Sequence, residues 1–156
     1  MRRFLFAVFL VVACATGAAA GSFDEADSSV AQFIRSRAEQ GDAVAQFDLG
    51  RLYDKGQGVT QDVQEAVKWY RLAAAQDYAK AQYNLGVMYI QGKGVPQDFV
   101  RAHMWLNIAA AALSGEDGTE AMERQDSVAS QMTAAQIEKA QEMARRCKQS
   151  KYKECD

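Results

Sequence analysis

Residues 45–80 read AQFDLGRLYDKGQGVTQDVQEAVKWYRLAAAQDYAK, and residues 81–116 read AQYNLGVMYIQGKGVPQDFVRAHMWLNIAAAALSGE. Laid over each other, the two stretches agree at 15 of 36 positions, and Phe47/Tyr83, Asp48/Asn84, Leu52/Met88 and Leu72/Ile108 are conservative pairs. A period of this length marks a stacked architecture in which each unit buries its apolar face against its neighbours. It moves the expectation from catalysis towards binding.

Each unit divides into two helices. In the first, Ala45, Leu49, Leu52 and Tyr53 recur at helical spacing. Gly56 and Gly58 end it in one copy, and Gly92 and Gly94 in the other, because glycine takes the left-handed conformation that closes a helix. Pro96 adds a second stop. The next helix opens at Asp62 or Asp98, whose carboxylates can accept from free backbone N–H groups. Glu65 extends the first of these to a capping-box pattern. Ala66, Trp69 and Ala73 then share a face, as do Ala102, Trp105 and Ala109. Gly50 and Gly86 lie inside first helices at a cost of about 1 kcal/mol each relative to alanine. That cost implies a partner helix crossing too closely for a side chain.

Outside the two copies the pattern weakens. Residues 29–40 form a helix with Val30, Phe33, Ile34 and Ala38 on one face, the second half of a partial unit that caps the stack. Residues 21–28 are expected to be a flexible leader. Downstream, residues 114–118 read as a polar loop, and residues 119–131 as a helix with Met122, Ser127 or Val128, and Ala129 inward. A last helix starts at Thr133, boxed by Gln136, with Met132 stapled to Ile137 and an apolar stripe of Ile137, Ala140, Met143 and Ala144. These two helices cover the open end. The expected fold is all-α, a short α/α solenoid of antiparallel helix pairs with capping helices. It occupies residues 29–147, with repeat units at about 45–80 and 81–113 and a tail at 148–156.

The first twenty residues carry a different signal. Arg2 and Arg3, the apolar run Phe4 to Val12, and Ala18-Ala19-Ala20 have the form of a cleaved secretory signal. Nine strongly apolar residues are too few to span a bilayer. Cleavage after Ala20 leaves 16 basic against 20 acidic residues and lowers the net charge from −2 to −4. An acidic domain without a basic stripe disfavours nucleic acid and anionic membranes as partners. The expected compartment is periplasmic or secreted. The alternative is a lipoprotein anchored through Cys14, since Val11-Val12-Ala13-Cys14 approximates a lipidation box.

Cys147 and Cys155 are the remaining thiols, and in an exported chain they suggest one disulfide. Eight residues of straight helix span about 12 Å, whereas a disulfide needs Cα atoms within about 7 Å. The helix must therefore stop soon after Cys147 and residues 149–154 must turn back. Two thiols without nearby histidines make a poor metal site.

The pattern Leu85-Gly86, Tyr89, Gly92, Gly94-Val95, Asp98, Ala102, Trp105 and Ala109-Ala110 resembles the Sel-1-like repeat, a relative of the tetratricopeptide repeat. The first copy matches it at Leu49-Gly50, Tyr53, Gly56, Gly58-Val59, Asp62, Ala66, Trp69-Tyr70 and Ala73-Ala74. The resemblance implies a right-handed superhelix whose inner surface binds peptides or protein surfaces. By analogy with tetratricopeptide grooves, that surface would comprise Phe47, Arg51 and Asp54 of unit one and Lys80, Tyr83, Val87 and Ile90 of unit two. Phe47 and Tyr83 have an alternative place between the units. Trp69 and Trp105 hold structural positions.

A cysteine-rich subgroup of the family, linked to penicillin binding and weak β-lactam hydrolysis, has a cysteine pair in each repeat with seven residues between. Here Cys147 and Cys155 alone show that spacing, outside the repeats. Catalysis has few candidates. His103 reads as a partly exposed helix residue, and the glycine loops lack the Gly-Lys-Ser/Thr ending of a phosphate cradle. No catalytic constellation, metal cluster or cofactor is expected. The expected function is an exported scaffold for a protein or peptide partner. The alternatives are a cell-wall or β-lactam binder with weak hydrolase activity, or a structural subunit of an envelope complex.

Overall fold

The computed structural model describes residues 21–153 and Cys155, with side chains from Ser29 onward. Residues 1–20, expected to form a signal segment and including Cys14, lie outside the described residues. Seven helices follow in order: α1 Gly21–Glu39, α2 Ala43–Lys55, α3 Val63–Ala74, α4 Ala79–Gln91, α5 Phe99–Ala112, α6 Gly115–Ala129 and α7 Ala134–Gln149. Each helix from α1 to α5 packs on the next, and α7 packs on α5. This is the expected α/α solenoid.

The repeat is visible in its bonds as well as its residues. Asp62 accepts from the N–H groups of Gln64 and Glu65, and Asp98 from that of Arg101. The expected reciprocal bond from Glu65 is replaced by an ion pair with Lys68, because that ammonium lies one turn along the exposed face. Gln61 donates to the Asp54 carbonyl at 2.8 Å and Gln97 to the Ile90 carbonyl at 2.7 Å, pinning each glycine loop to the helix it follows. Arg35 donates to the Tyr53 hydroxyl at 2.7 Å and Arg71 to the Tyr89 hydroxyl at 2.9 Å, one repeat apart. Buried Gln46 and Gln82 donate back to the carbonyls of Ala38 and Ala74. Asp42, unremarked in the sequence pattern, caps α2 through the N–H groups of Val44 and Ala45. These backbone bonds and the Arg37 guanidinium hold its carboxyl below the usual range.

The helix crossings depend on glycine. A Cβ on Gly50 would lie 2.7 Å from the Tyr70 ring, and one on Gly86 would lie 2.7 Å from Cγ of Leu106. Both approaches are closer than carbon atoms tolerate, so the missing side chain sets the spacing of the hairpins α2–α3 and α4–α5. Gly56 and Gly92 end α2 and α4 at φ of 68° and 64°, each donating its N–H to the last turn.

Four sequence expectations change. The stretch assigned to a leader is the start of α1, which contains no proline and no glycine after Gly21. On α1 the inward residues are Ala31, Ile34 and Ala38, while Val30 and Phe33 are 57% and 65% exposed. The stripe facing α2 is narrower than the apolar pattern suggested. The segment 114–118 is not a loop: Ser114 is the N-cap and α6 begins at Gly115, with Glu116 and Asp117 in a first turn that favours acids. Finally, α6 buries Gly118, Ala121 and Val128, whereas Met122 is 51% exposed.

Helices α2, α4 and α6 start at residues 43, 79 and 115. The 36-residue period therefore continues into a third unit whose sequence no longer shows it. In that unit Met122 stands where Gly50 and Gly86 stand, and the link from α6 to α7 is only residues 130–133. With a side chain at the crossing and no glycine loop, the third hairpin does not close, and α7 lies on α5 instead. Thr133 and Gln136 form the expected capping box.

The chain turns back as the disulfide requires. After α7, Lys151 and Tyr152 adopt φ of 53° and 63°, and the Tyr152 N–H donates to the Cys147 carbonyl at 2.8 Å. Cys147 and Cys155 are bonded with Cα atoms 4.6 Å apart. The tail lies beside Trp105, which is 2% exposed, and the Tyr152 hydroxyl donates to Asp77 at 2.5 Å.

Two outcomes follow. Gly86→Ala should lose about 1 kcal/mol net, because overpacking of about 1–3 kcal/mol exceeds the roughly 1 kcal/mol gained in helix propensity. Thermal unfolding should show a Tm a few degrees lower; an unchanged or higher Tm would contradict the close crossing. Cys155→Ser should cost at most about 2–3 kcal/mol and shift tryptophan fluorescence to the red as cover leaves Trp105. An unshifted spectrum at native temperature would show that the tail holds its place without the bond.

Candidate functional site

The first helices of the units carry the residues expected to form a groove, and the structure treats them unequally. Phe47 is a core residue. Its ring packs against Tyr70 and Tyr78 with centroids 5.7 and 5.2 Å apart, and burial pushes the Tyr70 hydroxyl up to about 12. Arg51 is exposed, with its guanidinium 5.8 Å from the Phe47 ring and 3.6 Å from the Asp48 carboxylate. Val87 and Ile90 are half-buried, and Ile90 packs against the main core. Asp54 forms an ion pair with Lys93 at 2.5 Å, which ties the end of α2 to the loop after α4.

Phe47, Lys80 and Tyr83 do converge. Together with Asn84, Leu113, Asp117 and Glu120 they line one hollow of about 110 Å³ between α2, α4 and α6. Lys80 pairs with Asp117 at 3.3 Å. The Tyr83 hydroxyl donates to Glu120 at 2.6 Å, and Arg124 binds that carboxylate at 2.9 Å while lying 5.7 Å from the Tyr83 ring centroid. Burial, reinforced by the bond to Glu120, pushes the Tyr83 hydroxyl up to about 12. The Tyr83 and Arg124 bonds hold Glu120 below the usual carboxylate range. The hollow thus has an apolar floor and a rim of paired charges.

Asp117, Glu120 and Arg124 were not anticipated as site residues. Nothing local marks them, since α6 shares almost no residues with the repeats. Continuing the 36-residue count would have placed α6 beside α4 and its acids over Lys80 and Tyr83. The sequence reading of His103 also needs correction. It is 2% exposed, at the contact of α5 with α6, and its Nε2 lies 3.4 Å from the Gln125 amide nitrogen. Burial pushes the imidazole below its ordinary value, against the pull of Asp126. Helix α5 is apolar on several faces because α4, α6 and α7 all pack on it, so a histidine on it is enclosed. Among the described residues no group of three or more metal-ligating side chains comes together. No described helix is long and apolar enough to cross a membrane.

The comparisons agree with this geometry. The Sel1 repeat family matches residues 43–78 and 79–112. The chain is similar to the crystal structure of c5321, a protective antigen present in uropathogenic Escherichia coli strains that displays an SLR fold. The TM-score is 0.74 and the identity 31%, over 85% of this chain and 28% of that one. It is also similar to a Sel1 repeat protein from Oxalobacter formigenes, with TM-score 0.57 and 35% identity over 64% of this chain and 40% of that one. The chain therefore spans well under half the length of either structure. No curated protein matches it. Two adjacent family matches, coincident with hairpins α2–α3 and α4–α5, make this chain a Sel1-repeat protein.

Proposed function

We propose that the protein is an exported scaffold that holds a protein or peptide segment along α2, α4 and α6. Sel1 repeats are a helical fold that typically mediates protein–protein interaction and is generally non-enzymatic. The observation that carries the reading here is the hollow between Phe47, Tyr83 and Leu113, apolar at its floor and charged at its rim. That is the arrangement of a binding patch, whose apolar centre supplies affinity and whose rim sets register. The rim pair Lys80–Asp117 is half exposed on both sides. Such pairs contribute about 0–1 kcal/mol, so an incoming segment can exchange them for its own charges at little cost. Arg51, whose guanidinium lies 5.8 Å from the Phe47 ring, would meet an acidic or carbonyl-rich part of the partner.

Export is supported by the Arg2-Arg3 start, the apolar run and Ala18-Ala19-Ala20, and by the bonded Cys147–Cys155 pair, which suits an oxidising compartment. The mature protein should then begin at Gly21 by intact mass; a mass carrying lipid on Cys14 would replace secretion with anchoring.

A photo-crosslinking residue at position 51 or 87 should capture a partner from a periplasmic extract, and one at the exposed Lys148 of α7 should not. Tyr83→Ala should weaken that capture at least tenfold. Equal capture from all three positions would remove the groove. Turnover of a chromogenic β-lactam above a buffer blank would favour the enzymatic alternative.

A further inference from the structure

Helix α5 carries one residue that its place in the fold does not call for. One period before His103 stands Val67, an apolar side chain 2% exposed. His103 is equally buried, and it is the chain's one histidine. Its Nε2 lies 3.4 Å from the Gln125 amide nitrogen of α6, and its Nδ1 has no hydrogen-bond partner among the described residues. A neutral ring fits this setting, because Nε2 accepts from the amide when the proton sits on Nδ1. An imidazolium donates from both nitrogens. Its Nε2–H would meet the amide's own N–H groups, Nδ1–H would still lack an acceptor, and a charge would lie inside a packed contact. On the helices packed against α5, Lys80 of α4 and every charged side chain of α6 and α7 are exposed, and α4 adds only the hydroxyls of Tyr83 and Tyr89. Asp126 of α6 is the charged group that acts on the ring, through solvent that weakens its pull.

Helix α6 has little else to hold it. It buries only Gly118, Ala121 and Val128, and it reaches α4 through Lys80–Asp117 and Tyr83–Glu120, pairs at the surface. Few buried apolar contacts make local opening cheap. We propose that His103 is a proton-operated latch for α6: the neutral ring lets the helix dock on α5, and a proton on the ring releases residues 115–129 while the repeats stay folded. Release takes Asp117 and Glu120 away from the hollow at Phe47 and Tyr83. Acid would then free a bound segment, a consequence that rests on the function proposed above. The direction follows from burial, which holds the ring below the ordinary histidine value. The undocked ring binds the proton more tightly, so docking is complete above about pH 6.5 and is lost as pH falls through the docked ring's own value. Glu120 is held below the usual carboxylate range and stays ionised across this window.

Hydrogen exchange of the free protein, corrected for intrinsic rates, tests the latch. From about pH 7.5 to about pH 5, opening of the α6 amides should rise at least about threefold, while those of α2 and α4 hold. The ring C–H resonance needs no mutant for its assignment, since the chain has one histidine, and it should titrate below the ordinary value. His103→Val places the first repeat's residue there, and His103→Gln keeps a polar one. Both should make α6 opening independent of pH. Gln125→Glu gives the imidazolium an acceptor, so acid should then tighten α6 rather than release it. Exchange of α6 that is flat with pH in the parent would overturn the proposal. So would helices that all open together, or an acid response that survives both His103 variants. No partner is present in these measurements, so a failed latch and a failed groove are told apart.

Discussion

The structure depends on two crossings where a side chain is missing. At Gly50 and Gly86 the neighbouring helix comes so close that a single Cβ would strike Tyr70 or Leu106 at 2.7 Å. Everything else in a unit is arranged around that approach. The glycine loops return the chain at the right angle, Gln61 and Gln97 pin those loops, and Arg35 and Arg71 bridge to the tyrosines of the following first helix. Where the glycine gives way to Met122, the hairpin opens, α7 moves onto α5, and the repeating part of the molecule ends.

That ending shapes the candidate site. Helix α6 keeps its place beside α4 without its own hairpin partner, so its acids are available to Lys80 and Tyr83 on one side and to solvent on the other. The hollow at Phe47 and Tyr83 is therefore bounded by a helix that belongs to the repeat in position but not in sequence. The disulfide-closed tail serves the opposite surface, where it covers Trp105 while the equivalent Trp69 stays half open.

Much of this was legible in the residues. The period, the helix pairs, the aspartate caps of α3 and α5, the glycine stops, the Thr133 capping box and the Cys147–Cys155 turn all follow from local rules: spacing, capping chemistry and bond reach. The misreadings share one cause. Val30 and Met122 were placed inward and His103 outward because helical periodicity identifies an apolar face without saying how much of it a neighbour covers. α1 is covered on one side by α2, whereas α5 is enclosed by three helices.

The sequence by itself determined the unit: two helices, a glycine-ended loop and an alanine-lined crossing, each set by interactions among residues close along the chain. Only the tertiary structure decided how many units there are and where they stop. Helix α6 keeps the 36-residue register by packing on α5, with Ala121 and Val128 buried and the backbone at Gly118 against Leu113, contacts that require size and position but not the repeat's signature residues. Packing can preserve a period after the sequence has lost it, because a buried contact constrains volume more tightly than identity.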